Sequence, residues 1–369
     1  MEKTVRMLHV FPSFLQGGTE LRIIRVLNGL PFPARHTILA LDGRFAAAAN
    51  FASGIQFELV TKPGPRGGFS GLRELRGLIL RSNPDLLLTY NWGAIEAVLA
   101  GRLSARCAII HNESGFGTDE ANSRKSRRVW ARRLLLSGIH TTIVNSQTLL
   151  NIARTEYKLP AGKINLIRNG IDVKRFVPGR NDALRDQLGA GPNTVIFGFI
   201  GKHREEKNVA MMVEAFAATK LGDAMLVLVG DGPCRRQLES LAQRVASPGR
   251  IVFPGEVQDP VPYLQAFDVF VISSFTEQTP NALLEAMACG LPAIGTDVGD
   301  IGEILTAGDA PVTVPSADVA AMSRSMQTMA ENPDLRARLA AQNRQRCVER
   351  YSLDRMVHEF SAIYQGAIR

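Results

Sequence analysis

Cysteine is scarce in this chain: Cys107, Cys234, Cys289 and Cys347 are the only four in 369 residues. Spacing this wide fits no metal-ligand pattern and reads as reduced, buried thiols in a cytosolic compartment. Long apolar runs are missing too. None approaches the roughly 20 residues that a helix needs to cross a bilayer. The stretch Met1–Phe11 lacks a long apolar core followed by a small-residue cleavage site, so no signal peptide is expected. There is no internal repeat, no low-complexity tract and no Asp-x-Asp pair to hold a divalent ion. No zinc, helix-turn-helix or aromatic RNA-binding pattern occurs, which leaves nucleic-acid binding supported by charge alone. A nicotinamide fingerprint is absent as well. Gly17-Gly-Thr-Glu20 lacks its spacing, and in Gly230-Asp-Gly-Pro233 the positions of Pro233 and Arg235 fall where it needs open backbone and a third glycine.

What is present is the composition of a globular protein, 45% hydrophobic and 21% charged, with a length that suits two domains. The net charge of +8 implies an anionic partner: a nucleotide, a membrane surface or nucleic acid. Strand-like apolar runs alternate with helical patterns throughout, which predicts parallel sheets with crossover helices. In the first half they are Val5–Phe11, His36–Leu41, Gln56–Val60, Asp85–Tyr90, Cys107–His111, Thr141–Asn145 and Ile164–Ile167. The second half offers Val195–Ile200, Met225–Val229, Arg250–Phe253, Val269–Ile272, Ala293–Gly295 and Val312–Val314. Between them the turn-rich Asn169–Gly179 and polar Arg180–Asp182 place a domain boundary near residue 180.

The most informative string is Glu277-Gln-Thr-Pro-Asn-Ala-Leu-Leu-Glu285, continuing into Ala-Met-Ala-Cys-Gly-Leu-Pro292. Thr279 reads as a helix N-cap with Pro280 at the first helical position, where a missing N–H costs nothing. Gly290 then supplies the stop, with Pro292 just beyond. A helix start presents unpaired N–H groups and a partial positive charge, which make an anion site. Two carboxylates flanking such a site suit a nucleotide sugar, with hydroxyls at both ends and a diphosphate between. Taken in isolation, two glutamates at this spacing are more often simply solvated.

The whole string resembles the Glu-(seven residues)-Glu signature of the large retaining family-four glycosyltransferases, departing from the commonest form at Gln278, where glycine is usual. Asn169-Gly-Ile-Asp-x-x-x-Phe176 likewise resembles the domain junction of that family. The resemblance implies the α/β GT-B fold: two Rossmann-like, doubly wound domains facing across a cleft. It puts an acceptor-binding domain at 1–180 and a donor-binding domain at 181–350, with a last helix at about 351–369 crossing back onto the first. Glu277 would bond the donor sugar's hydroxyls and Glu285 the ribose, with the loop and helix start at Gln278, Thr279, Pro280 and Asn281 around the diphosphate. Gly201-Lys-His-Arg-Glu-Glu-Lys-Asn208 resembles the family's Gly-Arg-x-x-x-x-Lys turn, so Lys207 and Lys202 would clamp the phosphates. Lys202 stands where arginine is usual and cannot make a bidentate fork, a gap that Arg204 would fill. Gly17, Gly18 and Glu20 match the family's Gly-Gly-x-Glu loop, which touches donor phosphates and acceptor. His111, at the end of its strand, would point into the cleft and contact the sugar. Asp119 and Glu120 lie near enough in sequence to meet the acceptor. The backbone at Val257 would pair with the base, which leaves uracil and guanine undistinguished, UDP being the commoner donor. The implied mechanism is retaining transfer with no protein-bound metal and no cofactor.

Around Trp130 and Leu134–Leu136 cluster Arg124, Lys125, Arg127, Arg128, Arg132 and Arg133. On a helical wheel Arg124, Lys125, Arg128 and Arg132 share one arc, and Trp130 and Leu134 another. A basic helix with an aromatic anchor suits an anionic membrane surface; the alternative is a solvated helix with Trp130 packed inward. Two functions therefore stand side by side. One is a hexosyltransferase building a bacterial-type surface glycan or glycolipid at the inner membrane face. The other is a non-catalytic nucleotide- or polyanion-binding protein on the same scaffold.

Overall fold

The computed structural model describes residues 4–61, 68–104, 107–115, 124–219, 221–245, 249–306, 310 and 312–368. Asp119 and Glu120 lie outside the described residues. The chain divides into two compact units, Met1–Gly170 with Leu353–Arg369, and Ile171–Ser352.

The first unit runs β1 (Val5–Phe11), α1 (Gly18–Asn28), β2 (Ala34–Ala40), β3 (Gln56–Thr61), α2 (Gly68–Ser82), β4 (Leu86–Tyr90), α3 (Ile95–Ser104), β5 (Ala108–Glu113), α4 (Ser126–Leu136), β6 (Thr141–Val144), α5 (Gln147–Thr155) and β7 (Ile164–Leu166). The second runs α6 (Asp182–Gln187), β8 (Val195–Ile200), α7 (Val209–Ala218), β9 (Ala224–Val229), α8 (Arg235–Val245), β10 (Ile251–Gly255), α9 (Val261–Leu264), β11 (Val269–Ile272), α10 (Asn281–Ala288), β12 (Ala293–Thr296), α11 (Ile301–Ile304), β13 (Thr313–Val314), α12 (Val319–Glu331) and α13 (Pro333–Arg350). The last helix, α14 (Leu353–Ile368), returns to the first unit. Every strand read from the sequence is a strand, with ends shifted by no more than two residues.

Both sheets are parallel, ordered β3-β2-β1-β4-β5-β6-β7 and β10-β9-β8-β11-β12-β13. Helices on both faces explain the nearly unbroken apolar runs, since β4 and β9 are buried along their whole lengths. Strand alternation splits the first core in two. Leu8, Val10 and Leu87 pack with residues of α2, α3 and α5. Met7, Phe11, Leu86, Leu88 and Tyr90 pack with α1 and with Met356, Phe360 and Tyr364 of α14.

The boundary falls ten residues before the expected one. Ile171 pairs with Ser352 in an isolated parallel bridge, and its N–H donates to the Tyr351 carbonyl at 2.7 Å, so the Asn169–Gly179 stretch past Gly170 belongs with the second unit. Helix α1 starts at Gly18, with Gly17 in the extended cap position. One further end is corrected. Strand β5 runs on to Glu113, which makes His111 an interior residue of the strand instead of its last.

Candidate active site

In each sheet the strand order reverses direction once, between β1 and β4 and again between β8 and β11. Connections leave such a point in opposite directions and open a crevice at the carboxyl ends of the two strands, where doubly wound sheets bind ligands. Of the residues singled out from the sequence, Gly17, Gly18 and Glu20 follow β1, and Lys202, Arg204, Lys207 and Glu277–Asn281 follow β8 and β11, whereas His111, Val257 and the α4 residues lie elsewhere.

In the second unit the loop after β8 carries Lys202, Arg204 and Lys207, and the loop after β11 carries Ser273, Ser274 and Glu277. The two loops are stitched together. Ser273 Oγ donates to the carbonyls of Lys207 (3.0 Å) and Asn208 (2.8 Å), and the Phe275 N–H donates to the Glu206 carbonyl at 2.9 Å. Lys207 Nζ pairs with Glu277 Oε1, and Ser274 Oγ donates to the same oxygen at 3.0 Å. With side chains only 26% and 11% exposed, the Lys207–Glu277 pair is shielded from bulk water. By contrast Lys202 meets Glu256 at 2.7 Å with both side chains more than half exposed, a pair that contributes about 1 kcal/mol at most. That contact joins the turn after β8 to the loop holding the half-buried Val257. Arg204 is exposed and lies 3.7 Å from Glu206.

The helix between the two glutamates begins one residue later than its sequence suggests. Pro280, in extended conformation, holds the cap position of α10, Asn281 is the first helical residue and Thr279 precedes the cap. Proline's lack of an N–H favours this entry. The far end is as read: Gly290 is left-handed (φ 72°), with Gly290 N–H donating to the Met287 carbonyl and Leu291 N–H to the Ala286 carbonyl, both at 3.0 Å. This is the Schellman arrangement. The Glu277–Gln278 backbone is braced from behind. Asp300 N–H donates to the Gln278 carbonyl at 3.1 Å, and Gly299 packs so closely that a Cβ there would strike the Glu277 carbonyl. Glu285 is half-buried on α10. Burial first, then the charge of Glu285, pushes the Cys289 thiol up to about 12; burial does the same for Cys347, which donates to the Leu284 carbonyl at 3.4 Å.

In the first unit Gly17 and Gly18 open α1, and the Glu20 carboxylate folds back over Gly17, where any Cβ would collide with it. Burial raises the Glu20 pKa from its ordinary value. Asn91 (φ 56°), just after β4, ties this turn to its neighbour: its amide donates to Thr19 Oγ1 at 3.4 Å and its oxygen accepts from Ser114 N–H at 2.8 Å. His111 is wholly buried, with Nδ1 2.8 Å from Thr89 Oγ1 and Nε2 3.6 Å from Glu113 Oε2. Burial acts to raise the Glu113 carboxyl, but His111 and the Arg132 charge outweigh it and hold it below the ordinary carboxylate value.

The basic helix is α4, and its wheel is inverted. Arg132 is buried in an ion pair with Glu113 and lies over the rings of Trp92 (4.9 Å) and Tyr157 (5.3 Å). Arg128 also covers Trp92, and Arg124 pairs with Glu156. Three members of the basic arc are thus engaged within the unit, while Trp130 (64%) and Leu134 (70%) are exposed. Arg132 is turned inward by the Glu113 carboxylate and the faces of Trp92 and Tyr157, which local periodicity does not reveal. Among the described residues no helix is long and apolar enough to cross a membrane.

Sequence reasoning missed Ser273, Ser274, Asn91 and the partners Glu256 and Glu113. Only the Ser-Ser pair ending an apolar run gave a visible signal, since short polar residues mark where a buried strand stops.

The Glycosyltransferase Family 4 model matches residues 16–175, and the group 1 glycosyl transferases model matches residues 194–332. Each unit of this fold thus carries the matching half of one architecture, and the chain belongs to the group 1, family-four glycosyltransferases with the GT-B fold. It is 28% identical over 226 residues to the N-acetyl-alpha-D-glucosaminyl L-malate synthase of Bacillus anthracis, covering 61% of this chain and 59% of that one. It is 29% identical over 240 residues to an Escherichia coli UDP-Gal:alpha-D-GlcNAc-diphosphoundecaprenol alpha-1,3-galactosyltransferase, covering 62% and 61% of the two chains. These matches span about three fifths of each relative's length. In fold it is similar to HepE of Anabaena, solved in complex with UDP, with a TM-score of 0.85 at 18% identity over 98% of this chain and all of that one.

Proposed function

We propose that the protein is a retaining, metal-independent hexosyltransferase that moves a sugar from a UDP-linked donor to a glycan or lipid-linked acceptor in surface polysaccharide or glycolipid synthesis. The observation that carries this reading is the shielded Lys207–Glu277 pair at the second switch point, beside the start of α10. It sets a cation for a leaving diphosphate next to a carboxylate for sugar hydroxyls. Lys207, Lys202 and the first amides of α10 stabilise charge that grows as the diphosphate departs, which is the term that most lowers such a barrier. Glu277 bonds donor-sugar hydroxyls and Glu285 the ribose. The anomeric C–O bond to the diphosphate breaks while the acceptor oxygen bonds the same carbon on the same face. The departing phosphate oxygen takes the acceptor's proton. The preference for UDP draws support from HepE, solved with UDP and with UDP-glucose, and the lipid-linked acceptor from the name of the E. coli relative. The exposed Trp130 and Leu134, flanked by Arg127 and Arg133, support attachment to an anionic membrane on its cytoplasmic face.

Thermal stabilisation by UDP and GDP, followed by hydrolysis of matching sugar donors, tests the reading. A shift with UDP and slow release of free sugar are expected. A shift with nucleotides and no turnover of any donor would favour a non-catalytic nucleotide-binding protein on this scaffold.

A further inference from the structure

Both partners of Glu277 fall on one oxygen. Lys207 Nζ and Ser274 Oγ each reach Oε1, and among the described residues no hydrogen bond or ion pair reaches Oε2. Ser274 is wholly buried, and its carbonyl accepts from the buried Thr296 Oγ1 at 2.7 Å, so β12 fixes the backbone from which the hydroxyl is aimed. Its neighbour Ser273 fixes the main chain of Lys207 and Asn208. Two consecutive hydroxyls at the end of β11 therefore set both members of the ion pair.

From this geometry we infer that Ser274 is a positioning residue for sugar recognition: with Lys207 it saturates Oε1 of Glu277 and leaves Oε2 as the acceptor for a donor-sugar hydroxyl. This deepens the glycosyltransferase reading and rests on it. A lysine ammonium on a four-carbon stem sets a distance but not a direction. The terminal torsion of a glutamate is broad, so one flexible cation does not choose which oxygen faces the ligand. A buried hydroxyl on a strand end supplies the second direction. Its importance grows when donor binds, because Lys207 must then divide its charge between Glu277 and the diphosphate, and Ser274 alone still holds Oε1 in place. Ser274 accordingly acts on the sugar end of the donor and not on the nucleotide end.

The test is calorimetric titration of the full-length protein, wild type, Ser274→Ala and Ser274→Thr, with UDP against UDP-glucose and GDP against GDP-mannose. For whichever series the wild type binds, Ser274→Ala should leave nucleoside diphosphate affinity within about twofold and weaken the sugar nucleotide about tenfold, the usual scale of one hydrogen bond to a charged group. Ser274→Thr, which keeps the hydroxyl, should recover most of the loss. Equal weakening of both ligands would mean a merely structural role and overturn the inference, as would unchanged binding of both. If the wild type binds no nucleotide in either series, the glycosyltransferase reading falls and this inference with it. If it binds nucleotide and sugar nucleotide normally and only the Ser274→Ala contrast is missing, the inference alone falls.

Discussion

Arg132 Nε lies 2.9 Å from Glu113 Oε2, and each of the two side chains is only 1% exposed. The guanidinium is further enclosed by the faces of Trp92 and Tyr157. A buried pair of this kind is costly to break, because removing one partner strands the other's charge. Glu113→Ala should therefore destabilise the first unit by about 3–5 kcal/mol, seen as a lower melting temperature. Arg132→Met, which fills the aromatic box without a charge but strands Glu113, should also destabilise. The double variant Glu113→Leu/Arg132→Met should be the most stable of the three. Melting curves that leave Glu113→Ala unchanged would remove the pair from the account of this unit.

His9 and His36 form a second buried polar chain. His9 Nδ1 lies 2.8 Å from Tyr90 Oη and His9 Nε2 3.1 Å from His36 Nδ1. Burial lowers both, His36 to about 4 and His9 well below its ordinary value, the neighbouring His36 adding to the effect on His9. Since the folded pKa values are depressed, the unfolded chain binds protons that the native one does not once pH falls below about 6.5. Above that pH the pair is neutral in both states and makes no difference. Between pH 6.5 and 4 stability should fall, by up to about 3 kcal/mol for His36 alone. Urea midpoints of the first unit at pH 7.5 and pH 5 measure this, and a flat profile would contradict it.

Lys207→Ala and Glu277→Ala should each lower turnover by roughly 10²–10³, the range for losing one preorganised charge-stabilising group. Lys202→Ala should cost less, since the exposed Lys202–Glu256 pair leaves its ammonium in water. Donor-consumption assays on the three variants rank them. Near-wild-type turnover by Glu277→Ala would defeat the site assignment.

Membrane attachment should depend on the outward side of α4 alone. Trp130→Ser with Leu134→Ser should abolish flotation with anionic vesicles at low salt and leave the melting temperature within about 1 °C, as exposed substitutions do. Arg132 variants should change stability first. Wild-type protein that fails to float on such vesicles would end the membrane proposal.

Strand positions were legible in the sequence because parallel strands buried on both faces read as short Val/Ile/Leu runs between turn residues, whereas the GT-B fold came from the resemblance of Glu277–Pro292 and Asn169–Phe176 to family-four motifs. Gly290 was legible because a helix stop is a local event. The inward turn of Arg128 and Arg132 was not, for it depends on Trp92, Glu113 and Tyr157, which are remote in sequence and meet only in the folded unit. His111 was read as a strand end because Asn112 and Glu113 look like loop residues, yet β6 pairs with them and extends the strand. Ser274 escaped notice for a related reason: a serine's task is set by the single atom it reaches.

Helix α14 closes one face of the first sheet, placing Met356, Phe360 and Tyr364 against Leu86, Leu88 and Tyr90. During synthesis that face emerges early and, although α1 covers part of it, lacks the rest of its cover until residue 353 and beyond have been made, whereas Ile171–Ser352 is continuous and needs nothing that comes later. The order of completion on the ribosome thus inverts the order of translation. The half made first is finished last, and chaperone protection is most needed at the apolar sheet face waiting for its final helix.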